Sequence, residues 1–119
     1  MKYFEELKRS MEFIASKKES IFLGQAVSVP GTAMRNTLIN INKNKLLELP
    51  VAEEMQMGMA IGLSMEKYIP ICIYPRWNFL LLAMNQLINH LNNLNELTEN
   101  KLKSKIIIRT AVGSIRPLH

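Results

Sequence analysis

Apolar positions along this chain change period several times, and each change marks an element. Over residues 3–17, Phe4, Leu7, Met11 and Ile14 recur at spacings of 3, 4 and 3 among charged residues, which predicts an amphipathic helix. Residues 20–29 form an apolar, β-branched run interrupted by Gly24, which predicts a buried strand running into the Pro30-Gly31 loop signal. Residues 32–44 have no single period and are read as a short helix over 33–38 followed by an Asn/Lys turn. A short strand over 45–49, a helix over 52–67 and a strand over 68–74 follow, with Pro75 ending the strand. Residues 77–97 predict a long helix whose stripe Leu80, Met84, Leu87, Leu91 and Leu94 faces the core. Asn85, Asn89, Asn92 and Asn93 lie off that stripe, as does His90, which is expected to be exposed. A polar connection over 95–103 leads to a last strand over 104–112, ending at Gly113.

Strands alternating with helices predict an α/β fold: a parallel sheet with helices on both faces. One domain is expected to occupy 1–119, with the N-terminal helix at 3–17 and the α/β body at 20–113. Ligands of such sheets bind beyond the C-terminal ends of the strands. Glu53 falls just after one strand end and Asn78-Phe79 just after another.

Composition narrows the class. An apolar content of 48% with 21% charged residues suits a folded globular chain of 119 residues. The single cysteine, Cys72, permits no disulfide within the chain, so a reducing cytoplasm is the expected location. No apolar run approaches the roughly 20 residues of a membrane span, and Met1 to Glu6 has mixed charge rather than the apolar core of a signal peptide. The net charge of +5 is scattered, with Lys17-Lys18 and Lys101, Lys103 and Lys105 beside acids or at helix ends. Without a basic, aromatic-rich strand, nucleic acid is not an expected partner.

The candidate chemistry sits in the helix over 52–67. Glu53 and Glu54 open it, where unpaired N–H groups and the helix dipole favour an acid. Gly58 and Gly62 then stand four apart on one face. Each costs about 1 kcal/mol in a helix interior relative to alanine, so the pair implies close approach by another backbone, within the chain or from another subunit. Met55, Met57, Met59 and Met65 surround that strip with soft apolar surface suited to core or interface packing. Taken alone, Glu53 is an ordinary solvated acid at a helix end.

In context, these residues carry a resemblance. Glu53, then Gly58-Met59, then Gly62-Leu63 is similar to the signature of the pyrimidine-binding domain of thiamine diphosphate enzymes, the transketolase-like group. Leu49-Pro50-Val51-Ala52-Glu53 resembles the approach to the cofactor glutamate in the beta subunits of pyruvate and branched-chain 2-oxoacid dehydrogenases. Tyr68-Ile69-Pro70-Ile71-Cys72, Trp77-Asn78-Phe79 and Asn85-Gln86-Leu87-Ile88-Asn89 are similar to their next strand and helix. The resemblance covers about residues 20–113. It implies a thiamine diphosphate-binding fold of pyrimidine type, truncated relative to the family's domain. It further implies that Glu53 binds the cofactor and activates it catalytically, that Phe79 or Trp77 stacks on the aminopyrimidine, and that Gly58, Met59 and Gly62 lie at a subunit interface.

The resemblance also marks what is missing. Gln25 stands where the family commonly has an acid. A family histidine after the last strand is not assigned to His119. The family holds magnesium and diphosphate through a Gly-Asp-Gly motif on a separate domain, and this chain contains no aspartate. The expected assembly is therefore a homo- or hetero-oligomer in which a partner domain or subunit holds the diphosphate and metal, with no metal site here. The chain alone is expected to be inactive, and no membrane partner is expected. The alternative is a non-catalytic interaction or oligomerisation module retaining the fold.

Overall fold

The computed structural model describes residues 2–113. Four short strands, β1 (Ser20–Gly24), β2 (Leu46–Glu48), β3 (Ile69–Tyr74) and β4 (Ile107–Thr110), form a parallel sheet in the order β2-β1-β3-β4. Parallel pairing obliges the chain to return after every strand, and the returns carry the helices. Before β1 comes α1 (Tyr3–Ala15); α2 (Ala33–Asn36) and α3 (Glu53–Met65) precede β2 and β3. A longer helical segment between β3 and β4 begins with α4 (Trp77–Leu80) and ends with α5 (Leu94–Leu97).

Alternation along the strands divides the core into two layers. Phe22, Ile71 and Ile73 pack with Met11 of α1, Met34 of α2 and Leu38 on one face. Leu23, Cys72 and Tyr74 pack with Met57 and Ala60 of α3, and with Leu80 and Ala83, on the other. The expected α/β sheet flanked by helices is observed. Complete burial of Phe22, Leu23, Ile71 and Ile73 contributes about 1.5–3 kcal/mol apiece. On the α1/α2 face a polar contact also ties the sheet to its covering segment: Arg109 on β4 donates to Thr37 Oγ1, just after α2, at 2.7 Å.

Several elements differ from their periodicity. The strand predicted over 20–29 stops at Gly24, because Gly24 (φ +144) and Ala26 (φ +60) turn the chain off the sheet. The last strand begins at Ile107 rather than 104. The long helix expected over 77–97 is broken: α4 passes into a tight turn at Leu81–Ala83 and a π-helical stretch at Gln86–Leu91, then a turn precedes α5. Asparagine competes with helical backbone bonding, and here Asn92 N–H reaches back five residues to Leu87 C=O at 2.9 Å. The core stripe survives the break in part. Leu80 is buried, Leu87 and Leu91 are half-buried against the same cluster, and His90 is exposed as expected.

The closest packing lies at the C-terminal end of the sheet, where Gly24 is in register with Glu48 on one side and Ile73 on the other. A Cβ on Gly24 would stand 2.1 Å from Ile73 O and 2.9 Å from Gln56 Nε2. That space lets the fully buried Gln56 of α3 donate to Ile73 C=O at 2.9 Å and to Cys72 Sγ at 3.3 Å. Gly24→Ala combines a backbone clash with an unfavourable positive φ. Its expected cost is about 3 kcal/mol, at the upper end for overpacking, read as a lower midpoint of urea unfolding. An unchanged midpoint would mean that β1 does not end against β3 in this way.

Candidate functional site

From the end of β2, residues 49–52 carry the chain over the sheet to α3. Ala52, in the N-cap position, supplies no side-chain acceptor, so Glu53 and Glu54 are the acidic groups of the first turn. Successive helical residues point about 100° apart, and the two acids diverge. Glu53 is buried, with 6% of its surface exposed, whereas Glu54 faces solvent. Gln25 Nε2 donates to Glu53 Oε1 at 3.3 Å. The Tyr74 hydroxyl, at the end of β3, donates to the Glu53 backbone carbonyl at 3.2 Å. Burial above all pushes the Tyr74 phenol far above its usual range, so it remains protonated and keeps that bond.

A cavity of about 380 Å³ lies beside the carboxylate, lined by Ala52, Glu53, Glu54, Met55 and Leu82. The start of α3 therefore presents a shielded acid, held by a neutral amide, to an open space at the C-terminal end of a parallel sheet. Such an acid can accept a hydrogen bond from, or exchange a proton with, a nitrogen heterocycle entering the cavity. Cys72, behind it, is buried and its thiol is pushed upward by that burial, which suits a packing role rather than a nucleophile.

The other candidate residues are spread around this centre. Phe79 is half-buried against the cluster containing Tyr74 and Leu80 and is not part of the cavity lining. Trp77 is 50% exposed, and its backbone N–H donates to Ala111 C=O at 2.9 Å. Gly58, Met59 and Gly62 lie on the exposed outer side of α3, and nothing stands within 4 Å of a Cβ built on either glycine. No backbone of the described residues occupies the strip, so packing among them does not explain it. Of the four methionines around it, Met57 is buried in the core while Met55, Met59 and Met65 are exposed. His119 lies outside the described residues. Among the described residues no three of His, Cys, Asp or Glu converge on a metal position, and no helix is long and apolar enough to cross a membrane.

Two residues of the site escaped the sequence reading. Leu82 lines the cavity although it lies off the apolar stripe. Glu48, the last residue of β2, accepts from Ala26 N–H through Oε1 and from Ser28 N–H through Oε2, both at 2.7 Å, and from the Ser28 hydroxyl at 3.0 Å. Backbone donors that converge on one carboxylate in this way form an anion-binding nest. Partial burial opposes ionisation of Glu48, but the Ser28 and Ala26 donors outweigh it and hold the carboxyl below its ordinary 4.5. A lone acid at a strand end gives no signal of this bonding.

The chain is similar in sequence to known proteins. Over 74 residues the chain is 39% identical to the pyruvate dehydrogenase E1 component subunit beta of Chaetosphaeridium globosum, covering 62% of this chain and 23% of that one. It is 31% identical over 119 residues to the same subunit of Gracilaria tenuistipitata var. liui, covering 97% and 37%. The Cyanidium caldarium subunit is 28% identical over 114 residues, covering 92% and 35%. The chain is homologous to pyruvate dehydrogenase E1 beta subunits. It spans little more than a third of the length of these curated relatives, and less for some. No family model matches it.

The depressed pKa of Glu48 makes its contribution pH-dependent. The carboxylate is the bonded form, so its stabilisation is full above the unfolded value near 4.5 and is lost as the pH falls through the lower folded value. Glu48→Gln removes the titration. The stability gap between wild type and Glu48→Gln, from urea midpoints, is expected to be constant above about pH 5 and to shrink below pH 4. A gap that widens on acidification would contradict the nest.

Proposed function

We propose that this chain supplies the pyrimidine-binding half of a thiamine diphosphate site of the 2-oxoacid dehydrogenase or transketolase group. The observation that carries the proposal is the buried carboxylate of Glu53 at the cavity, in a sequence context homologous to pyruvate dehydrogenase E1 beta subunits. Bound thiamine diphosphate supplies a thiazolium carbon acid whose deprotonated form adds to carbonyl substrates. On this chain, Glu53 would share a proton with N1' of the aminopyrimidine, donating to it as the acid and accepting from N1'–H as the carboxylate, while Gln25 would orient its Oε1 and Leu82 would help exclude water. Phe79, with Trp77 beside it, is the aromatic wall for the ring once the site is assembled. The residues present suit the aminopyrimidine and not the diphosphate, since the chain has no aspartate. A partner domain or subunit therefore holds the magnesium and diphosphate, and the chain is inactive alone.

The exposed strip of Gly58, Met59 and Gly62 is the surface proposed for that association. With Met55 and Met65 it leaves apolar area on the outer side of α3, and a close-packed partner backbone fits where no side chain intervenes. A non-catalytic module with the same fold would use the same strip, so association alone does not separate the two functions.

Chemistry separates them. Glu53→Gln keeps size and burial but loses the anionic acceptor and proton exchange. In the assembled complex it is expected to slow C2–H exchange of thiamine diphosphate by about 10²–10⁴-fold, the range for a positioned acid–base group. Glu54→Gln, altering a solvent-facing acid, is expected to change it less than about twofold, as an exposed charge screened by water. Proton–deuterium exchange followed by NMR gives both rates. Equal rates for wild type and Glu53→Gln would leave Glu53 a helix-end charge and favour the non-catalytic module.

A further inference from the structure

Gln25, the amide that holds Glu53, sits on the loop after β1, whose next residues Ala26 and Val27 pack against the core cluster of α1 and α2. That packing anchors the loop, and the direction of the Gln25 side chain depends on the peptide planes on either side of it. The residue before it, Gly24, is paired on both sides within the sheet. The peptide after it carries the Ala26 N–H, which is bonded to Glu48 Oε1 at 2.7 Å. That bond sets the plane of the peptide joining Gln25 to Ala26 and with it the ψ angle of Gln25. Two residues on, Ser28 N–H and Oγ are held by Glu48 Oε2 at 2.7 and 3.0 Å. Between these anchors Ala26 takes a left-handed conformation (φ +60) that side-chain-bearing residues rarely adopt. Such a backbone persists where its surroundings over-determine it. The surroundings here are the Glu48 carboxylate on the N–H groups, the Thr32 hydroxyl on Ala26 C=O at 3.4 Å and the packing of Ala26 and Val27 on the core. The side chain delivered is the one that donates to Glu53 at 3.3 Å.

We propose that Glu48 is a positioning residue of the Glu53 site: its carboxylate locks the loop after β1 so that Gln25 is presented to Glu53. The inference rests on the role of Glu53 proposed above. Glu48 is not among the residues that line the cavity, and its hydrogen bonds go to Ala26 and Ser28 rather than to Glu53. It acts through two backbone N–H groups, one to each oxygen, and a neutral amide at this position offers a single acceptor for the pair.

The test is a double-mutant cycle read at the Gln25 side-chain amide by NMR in the full chain, which needs no cofactor. In the wild type, Glu53→Gln is expected to shift the Gln25 NH₂ signals. In a Glu48→Ala background the same change is expected to shift them by less than a third as much, while the amides of α3 and β3 keep their positions. An equal shift in both backgrounds would overturn the proposal. Should Glu48→Ala fail to fold, Glu48→Gln serves. One of the Ala26 and Ser28 amides is then expected to exchange with solvent at least tenfold faster, and unchanged protection of both would overturn it. Failure of the Glu53 role is distinguishable. A Gln25 response that depends on Glu48, together with C2–H exchange in the complex that is indifferent to Glu53→Gln, would uphold the positioning and reject the catalysis.

Discussion

The candidate site depends on how tightly β1 ends against β3. At Gly24 there is no room for even one carbon atom between the strand and Ile73 O, and the vacancy is used by Gln56, whose amide bonds Ile73 C=O from inside α3. This contact seats α3 on the end of β3, three residues after Glu53. With the Tyr74 hydroxyl on the Glu53 carbonyl, it fixes the first turn of the helix over the sheet. The burial of Glu53 follows from that seating rather than from any property of the carboxylate itself. Move α3 outward by the width of a methyl group, and Glu53 becomes the solvated helix-end acid that Glu54 already is.

Two acids five residues apart thus acquire different work from their surroundings. Glu48 ends a strand and turns back to collect N–H donors from the neighbouring loop, which stabilises its charge and orders that loop. Glu53 begins a helix, is covered by the sheet end, and receives one amide bond while facing a cavity. The outer side of the same helix is left bare by Gly58 and Gly62. One helix therefore carries a buried inner face, an acid at its tip, and an outer face with no covering from the described residues.

Much of this arrangement was legible in the sequence because it is periodic. The α/β order, the two-sided sheet and the placement of Glu53 after a strand end follow from runs and stripes whose period is set by backbone geometry. The failures share a cause as well. The run over 20–29 is as apolar as a strand, but its last residues turn away under the φ angles of Gly24 and Ala26, the second of them beside an N–H bonded to Glu48 from another strand. The segment over 77–97 has a helical stripe, yet its backbone ladder changes to 3-10 at Leu81–Ala83 and to π at Gln86–Leu91, because hydrophobic period does not report backbone bonding. Glu48 and Leu82 were invisible for the simplest reason. One works through backbone donors 20 and 22 residues away, and the other lines a cavity formed by a different helix.

In the proposed function this chain is half of a site, supplying the acid that meets an aromatic base and lacking the part that neutralises a diphosphate. Calorimetric titration of thiamine diphosphate with magnesium, into this chain alone and into its mixture with a Gly-Asp-Gly-bearing partner subunit, addresses that division directly. The expected result is no detectable heat of binding for the chain alone and saturable binding in the mixture. Binding by the isolated chain at a submicromolar dissociation constant, about −8 kcal/mol or stronger, would contradict it.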